Sequence, residues 1–234
     1  MSAVSALIVV DMQNDFCLPK GALAVENAME TLPLINKLLD SDAFNYKVAT
    51  KDWHPQNHIS FASNHPEPHN KPLESFIDMK NIVANKPHET MRQRLWPVHC
   101  VQGTRGAELL SELHMDKVDL IVEKGTDERV EMYSAFSDSF GNLTAGEGGV
   151  THDLAGRLHE RGITDVYCVG VAGDYCVNYT VLDAAKAGFK TFVIEQGQRC
   201  VDPGTWPDVK NGLQKGGAQV LSEDDEQVQR LFTS

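Results

Sequence analysis

The chain has 234 residues, 41% of them hydrophobic, which is ample for one large α/β domain or two small ones. Its 33 acidic and 21 basic residues leave a formal net charge of -12, which argues against nucleic-acid and membrane-surface partners, since both need a basic face. The acidic surplus is read as a device for solubility.

Met1 to Val10 carries no basic n-region and runs into Asp11, so a signal peptide is not expected, and no apolar run is long enough to cross a bilayer. The cysteines (Cys17, Cys100, Cys168, Cys176 and Cys200) are odd in number and have no CxxC pair. Such scattered thiols point to a reduced, cytoplasmic setting rather than a disulfide framework. Glycosylation acceptor patterns begin at Asn142 and Asn178; the second falls in a core helix, and both are read as chance.

In chain order, Ala6 to Val10 reads as a strand, Glu26 to Leu39 as a helix with Leu34, Ile35, Leu38 and Leu39 on its apolar face, and Tyr46 to Thr50 as a second strand. Residues 62–94 break the pattern. They are rich in Pro, His, Asn and charge and read as a long excursion with at most one helix. Next come a helix over Gly106 to His114, a strand over Val118 to Val122, a glycine-rich loop from Gly141 to Gly149, and a helix over Asp153 to Arg161. The strand Val166 to Val171 leads into a helix after Cys176 that Gly188 ends. A strand over Thr191 to Glu195, a helix over Trp206 to Lys215 and a strand over Ala218 to Leu221 close the series. Alternating β and α segments with continuously apolar strands predict an α/β fold, a parallel sheet with helices on both faces. The expected organisation is a single domain over residues 1–234 with an insertion at about 62–94.

Several polar residues fall just past the carboxyl ends of these strands, where ligands bind in open α/β sheets. Asp11 follows the first, Asp52 and His54 the second, Lys124 the Val118–Val122 strand, and Cys176 the strand ending at Val171. Cys176 sits at a strand-to-helix turn, where a helix dipole is expected to lower its thiol pKa and favour nucleophilic attack. The plainer alternative is a small buried apolar residue. Asp11 can take the thiol proton and Lys124 can stabilise the thiolate, giving a cysteine nucleophile that needs no histidine base. A structural ion pair is the alternative for those two. Asp52 and His54 can share one divalent metal, zinc foremost, but two ligands do not close a site. His58, His65, His69, His88 and His99 are candidates for the rest, and only His99 lies in an apolar, rigid stretch, Leu95 to Cys100.

The segments Val9-Val-Asp-Met-Gln-Asn-Asp-Phe16, Asp52-Trp-His-Pro-Gln-Asn-His58, Trp96-Pro-Val-His-Cys-Val-Gln-Gly103, Glu123-Lys-Gly125 and Gly170-Val-Ala-Gly-Asp-Tyr-Cys176 together resemble the nicotinamidases of the isochorismatase-like cysteine hydrolases. That resemblance implies a six-stranded, Rossmann-like three-layer sandwich. It implies a triad of Asp11, Lys124 and Cys176, and a metal on Asp52, His54 and His99, joined by His58 in some relatives. It further implies a cis peptide bond between Val171 and Ala172, an oxyanion hole from the N–H groups of Ala172 and Cys176, and substrate contacts from Phe16, Trp96 and Val171. Tyr133 and Phe136 either reach the pocket or pack their loop down. The implied reaction is hydrolysis of nicotinamide to nicotinic acid and ammonia. Homo-oligomerisation is left open.

Overall fold

The structure, a computed structural model, describes residues 3–82, 86, 88–142 and 150–233. Most of the expected Gly141–Gly149 loop lies outside them. Six strands form one parallel sheet: β1 (Ser5–Val10), β2 (Tyr46–Asp52), β5 (Leu120–Lys124), β6 (Asp165–Val171), β7 (Lys190–Arg199) and β8 (Gln219–Leu221), in the order β5-β2-β1-β6-β7-β8. The order reverses beside β1, which places a crevice at the carboxyl ends of β1 and β6.

Side chains alternate across a strand, so each central strand feeds two cores. Leu7 and Val9 of β1 join Tyr167 and Val169 of β6 against α2 (Leu32–Asp40) and α6 (Glu226–Arg230). Ala6, Ile8 and Val10 face the other way, against α3 (Leu154–Glu160), α4 (Cys176–Lys186) and α5 (Trp206–Lys215). With both faces covered, the strands can be apolar without alternation, as β1 is. Ile8 is fully buried, and cutting it to alanine would cost about 2 to 5 kcal/mol. In α2 the buried residues Leu32, Ile35, Leu38 and Leu39 form one stripe, Pro33 stands in the first turn, and the helix ends at Ser41. Asp153 caps α3 by accepting from Gly156 N at 2.9 Å.

One expectation is corrected. Residues 106–114 are not a helix: beyond a 3-10 turn at Arg105–Ala107 they run irregularly. Their backbone is used elsewhere, because Leu110 N donates to Met12 O, Glu108 O accepts from Asn14 N, and Leu109 bridges Gln13. The excursion at 62–94 has one short helical piece, a 3-10 turn at Ala62–Asn64, but its main feature was not expected: an antiparallel hairpin of β3 (Phe76–Lys80) and β4 (Thr90–Arg94). Its strands are mostly exposed, with one buried anchor each, Met79 and Gln93. The remaining short helix, α1 (Asn14–Cys17), follows β1 directly and carries Phe16.

Candidate active site

Strand register assembles the site. Asp52 ends β2, Lys124 ends β5, and the two are paired neighbours. Val10, the last residue of β1, pairs with Gly170 of β6. At φ +116 a side chain on residue 170 would be strained, and its Cβ would fall 2.0 Å from Val10 O. Glycine therefore lets the two strand ends approach, and they bring Asp11 up to the segment that leads to Cys176. Asp11 itself takes φ 50, uncommon for a non-glycine residue, held by N–H donation to Thr50 O.

Asp11, Lys124 and Cys176 meet in the interior. Lys124 is fully buried, with Nζ 2.9 Å from Asp11 Oδ2 and 3.4 Å from Cys176 Sγ, and it donates to Asp52 Oδ1. Asp11 Oδ1 accepts from Thr50 Oγ1 at 2.6 Å. Asp11 Oδ2 is held by the Lys124 ammonium, and the Asp11 carboxylate is also a hydrogen-bond partner for the Cys176 thiol, so it stands where the thiol proton can be received. One oxygen each from Asp11 and Asp52 lies within 4.8 Å of the sulfur.

The charges follow from this packing. Burial works against a charged Lys124, but Asp11 and Asp52 outweigh it and hold the ammonium well above its usual range. Burial also raises Asp52, yet Lys124 and His54 bring its carboxyl well below the ordinary value. For Asp11 burial wins over Lys124, so its carboxyl is raised. The expectation of a lowered thiol pKa is corrected: Cys176 starts α4, but burial pushes its thiol well above the usual range despite Lys124. A resting thiol beside a proton-accepting carboxylate needs a base at the moment of attack.

A second cluster shares Asp52. His54 Nδ1 faces Gly125 O at 2.9 Å and His99 Nδ1 faces Pro97 O at 2.8 Å. Each carbonyl fixes the proton on Nδ1 and turns the Nε2 lone pair inward. His54 Nε2 is buried without a hydrogen bond, 3.5 Å from Asp52 Oδ2, and His99 Nε2 lies 3.7 Å from that oxygen. Burial opposes charge on His54, but Asp52 outweighs it and raises the imidazole pKa, the mark of a place that favours positive charge. Two inward lone pairs and a carboxylate oxygen, all within 4.8 Å of one another, are a donor set that fits a divalent metal. Gly125 has φ +67, and a Cβ there would sit 2.3 Å from His54 Cε1.

His58 is buried and stacked on His54 at 4.0 Å between ring centroids. Both its nitrogens are engaged, Nδ1 with Ser60 Oγ at 2.8 Å and Nε2 with Val130 O at 3.2 Å. Burial, with His54 and His99 nearby, keeps the ring well below the usual histidine pKa and so neutral.

Phe16, Trp96, Tyr133, Ala172 and Cys176 line one pocket over these clusters. Phe136 does not reach it and packs in the core beneath. Val171 also misses the lining: it is fully buried in the core, and its peptide bond to Ala172 is cis. Among the described residues no carbonyl accepts from the N–H groups of Ala172 and Cys176, while Tyr175 and Val177 both donate to Ala172 O.

Three contributors escaped the sequence reading. Glu131 is buried and lines the pocket, one of a group with His54 and His58. Tyr175 closes another side. Gln13 clamps the Asp52 backbone, donating to Asp52 O and accepting from Asp52 N, both at 2.8 Å. Gln13 lies inside the Val9–Phe16 segment, which was a usable signal; Glu131 lies in a charged stretch where burial leaves no mark.

Residues 5–225 match the isochorismatase domain. The chain belongs to the isochorismatase family. Within that family it is 42% identical to the nicotinamidase of Acinetobacter baylyi, over 97% of this chain and 91% of that protein. Its structure resembles the yeast nicotinamidase bound to the inhibitor nicotinaldehyde, with TM-score 0.85 and 35% identity over 94% of this chain and all of that one (100%). It also resembles the pyrazinamidase of Pyrococcus horikoshii in complex with zinc, with TM-score 0.69 and 33% identity over 93% and 98% of the two chains. The six-stranded sheet of this isochorismatase-family chain is the expected one. No helix among the described residues is long and apolar enough to cross a membrane.

Proposed function

We propose that this chain is a nicotinamidase, an amidohydrolase that converts nicotinamide to nicotinic acid and ammonia in NAD salvage. The observation that carries the reading is the buried Asp11–Lys124–Cys176 cluster, joined through Asp52 to the His54 and His99 donor set beneath an aromatic pocket. The nicotinamidase relatives support the substrate.

In this reading Asp11 takes the proton of Cys176 through Oδ2, and the sulfur bonds to the amide carbon. Lys124 holds Asp11 in place and stabilises the thiolate as it forms. The oxygen that gains charge is met by the N–H groups of Ala172 and Cys176. Asp11 returns the proton to the nitrogen, the C–N bond breaks, and ammonia leaves. Asp11 then takes a proton from water, whose oxygen bonds to the acyl carbon. The C–S bond breaks, nicotinic acid departs, and the proton returns to sulfur. Phe16, Trp96 and Tyr133 flank the ring and exclude water. A divalent metal, zinc by analogy with the pyrazinamidase relative, would be held by Asp52, His54 and His99 and would supply, when bound, a Lewis-acid anchor for the pyridine nitrogen.

The whole chain is read as one hydrolase domain with residues 62–94 as an insertion. All five cysteines are free and buried, which supports a cytoplasmic location. The test is a coupled ammonia assay over a panel of amides, with metal content measured on the same sample. Ammonia from nicotinamide, lost in Cys176→Ala, is expected. Release only from ureido or carbamoyl compounds by metal-free protein would replace this reading with another cysteine amidohydrolase.

A further inference from the structure

The wall of the pocket is held by a part of the chain that does not belong to the sheet. Tyr133 lies in residues 125–142, a stretch without helix or strand, so no regular backbone pairing fixes its ring. Its hydroxyl is fixed instead. The oxygen accepts from Gln93 Nε2 at 2.6 Å and from Trp96 Nε1 at 3.1 Å. A phenol oxygen has two lone pairs, and both are then in use.

Gln93 is 2% exposed, on β4 of the hairpin. Its other N–H is engaged as well, with Arg94 O at 2.6 Å, so the amide is locked between its own strand and Tyr133. The next residue repeats the arrangement on the other side. Arg94 Nη1 lies 3.3 Å from Tyr175 Oη, while Nε donates to Leu73 O at 2.7 Å. Trp96, two residues further on, packs edge-on to Tyr175 at 4.9 Å. The hairpin is pinned from below: Met79 is fully buried, and its sulfur accepts from Glu131 N at 3.1 Å.

We propose that the paired strands β3 and β4 of the hairpin set which ring the pocket admits, with Gln93 as a positioning residue that acts through the Tyr133 hydroxyl. Arg94 does the same for Tyr175. Neither touches the reacting atoms. The tyrosines and Trp96 form the wall, and the hairpin fixes how far that wall stands from Phe16. The substrate used to test this rests on the nicotinamidase reading.

The experiment is a double-mutant cycle on Gln93 and Tyr133, with kcat and KM measured for nicotinamide and for its ring-methylated 5-methyl analogue. Gln93→Leu should raise KM for nicotinamide about tenfold and leave kcat within about twofold. It should narrow the preference for nicotinamide over the methylated amide by a similar factor, because the wall is no longer held. In the Tyr133→Phe background the same change should move KM by less than about twofold, since the partner hydroxyl is already gone. An equal KM effect in both backgrounds, or a fall in kcat with KM unchanged, overturns the proposal, because a purely structural role for Gln93 gives those results. Gln93→Met, which keeps a similar length and offers the Tyr133 hydroxyl neither a strong donor nor a strong acceptor, runs the same cycle if the leucine variant does not fold. Should wild type release no ammonia from nicotinamide, the substrate reading fails and the clamp is decided separately. A crystal structure of the Gln93 variant with Tyr133 displaced then supports the clamp, and one with Tyr133 unmoved overturns it.

Discussion

Asp52 and Lys124 are register partners at the carboxyl ends of adjacent parallel strands, and the Asp52 carboxylate serves two clusters at once. Its Oδ1 accepts from Lys124 Nζ, while its Oδ2 faces the Nε2 atoms of His54 and His99. Charge at the His54–His99 donor set and charge at the Asp11–Lys124–Cys176 cluster are therefore coupled through one side chain. Asp52→Asn keeps the shape but removes the anion from both. Metal content should fall, and kcat/KM for nicotinamide should drop about a hundredfold or more. Metal analysis and steady-state kinetics on one preparation check this. Full metal loading with normal turnover would show that the carboxylate is not shared.

Gly125 tests how His54 is held. A methyl group at that position would strain the positive φ and press on the imidazole. Gly125→Ala should weaken metal affinity about 10- to 100-fold, an effect on the order of that of lost outer partners of a ligating histidine. Titration calorimetry with zinc reads it. Unchanged affinity would mean that His54 has room to shift and still bind.

The acid limb of the pH profile should belong to Asp11. Burial raises its carboxyl, and the ionised form is the one that accepts the thiol proton. Activity is thus full above the raised pKa and is lost as the pH falls through it, at a pH above the ordinary aspartate value of about 4. The profile of kcat/KM at saturating metal, with metal content checked at each pH, measures this. Activity sustained down to about pH 4 would remove Asp11 as the base.

Benzamide, which has the carboxamide but no ring nitrogen, separates two roles for the metal. If the metal positions the pyridine ring, wild type should be slow on benzamide, and His99→Ala should hurt nicotinamide far more than benzamide. If it serves the hydrolytic water instead, both substrates should lose by the same factor. Comparing kcat/KM of wild type and His99→Ala on the two amides decides. Retained metal in the variant would show that His99 is not a ligand.

What was legible in the sequence followed from burial. β1 and β6 are buried from end to end because helices cover both faces, and the apolar runs inside them let their ends be placed to within a residue or two. Asp11, Asp52, Lys124 and Cys176 were found because each stands at or just after such an end. Residues that act through tertiary contacts were not legible. Nothing local distinguishes the buried Gln93 from its exposed neighbours on β4, and the spacing of Leu109, Leu110 and Leu113 imitates a helix that the backbone bonds to residues 12–14 prevent. The thiol pKa was misjudged for a related reason: position at a helix start can be read from sequence, while complete burial cannot.

The central claim is that Cys176 becomes acylated by the substrate. Protein quenched in acid during turnover of nicotinamide, digested and weighed by mass spectrometry, measures this directly. The account predicts a nicotinoyl group on the peptide that contains Cys176, absent from Asp11→Asn protein and from samples quenched after the substrate is exhausted. Rapid ammonia release with that peptide unmodified at every quench time, or with the acyl group on another residue, would contradict it.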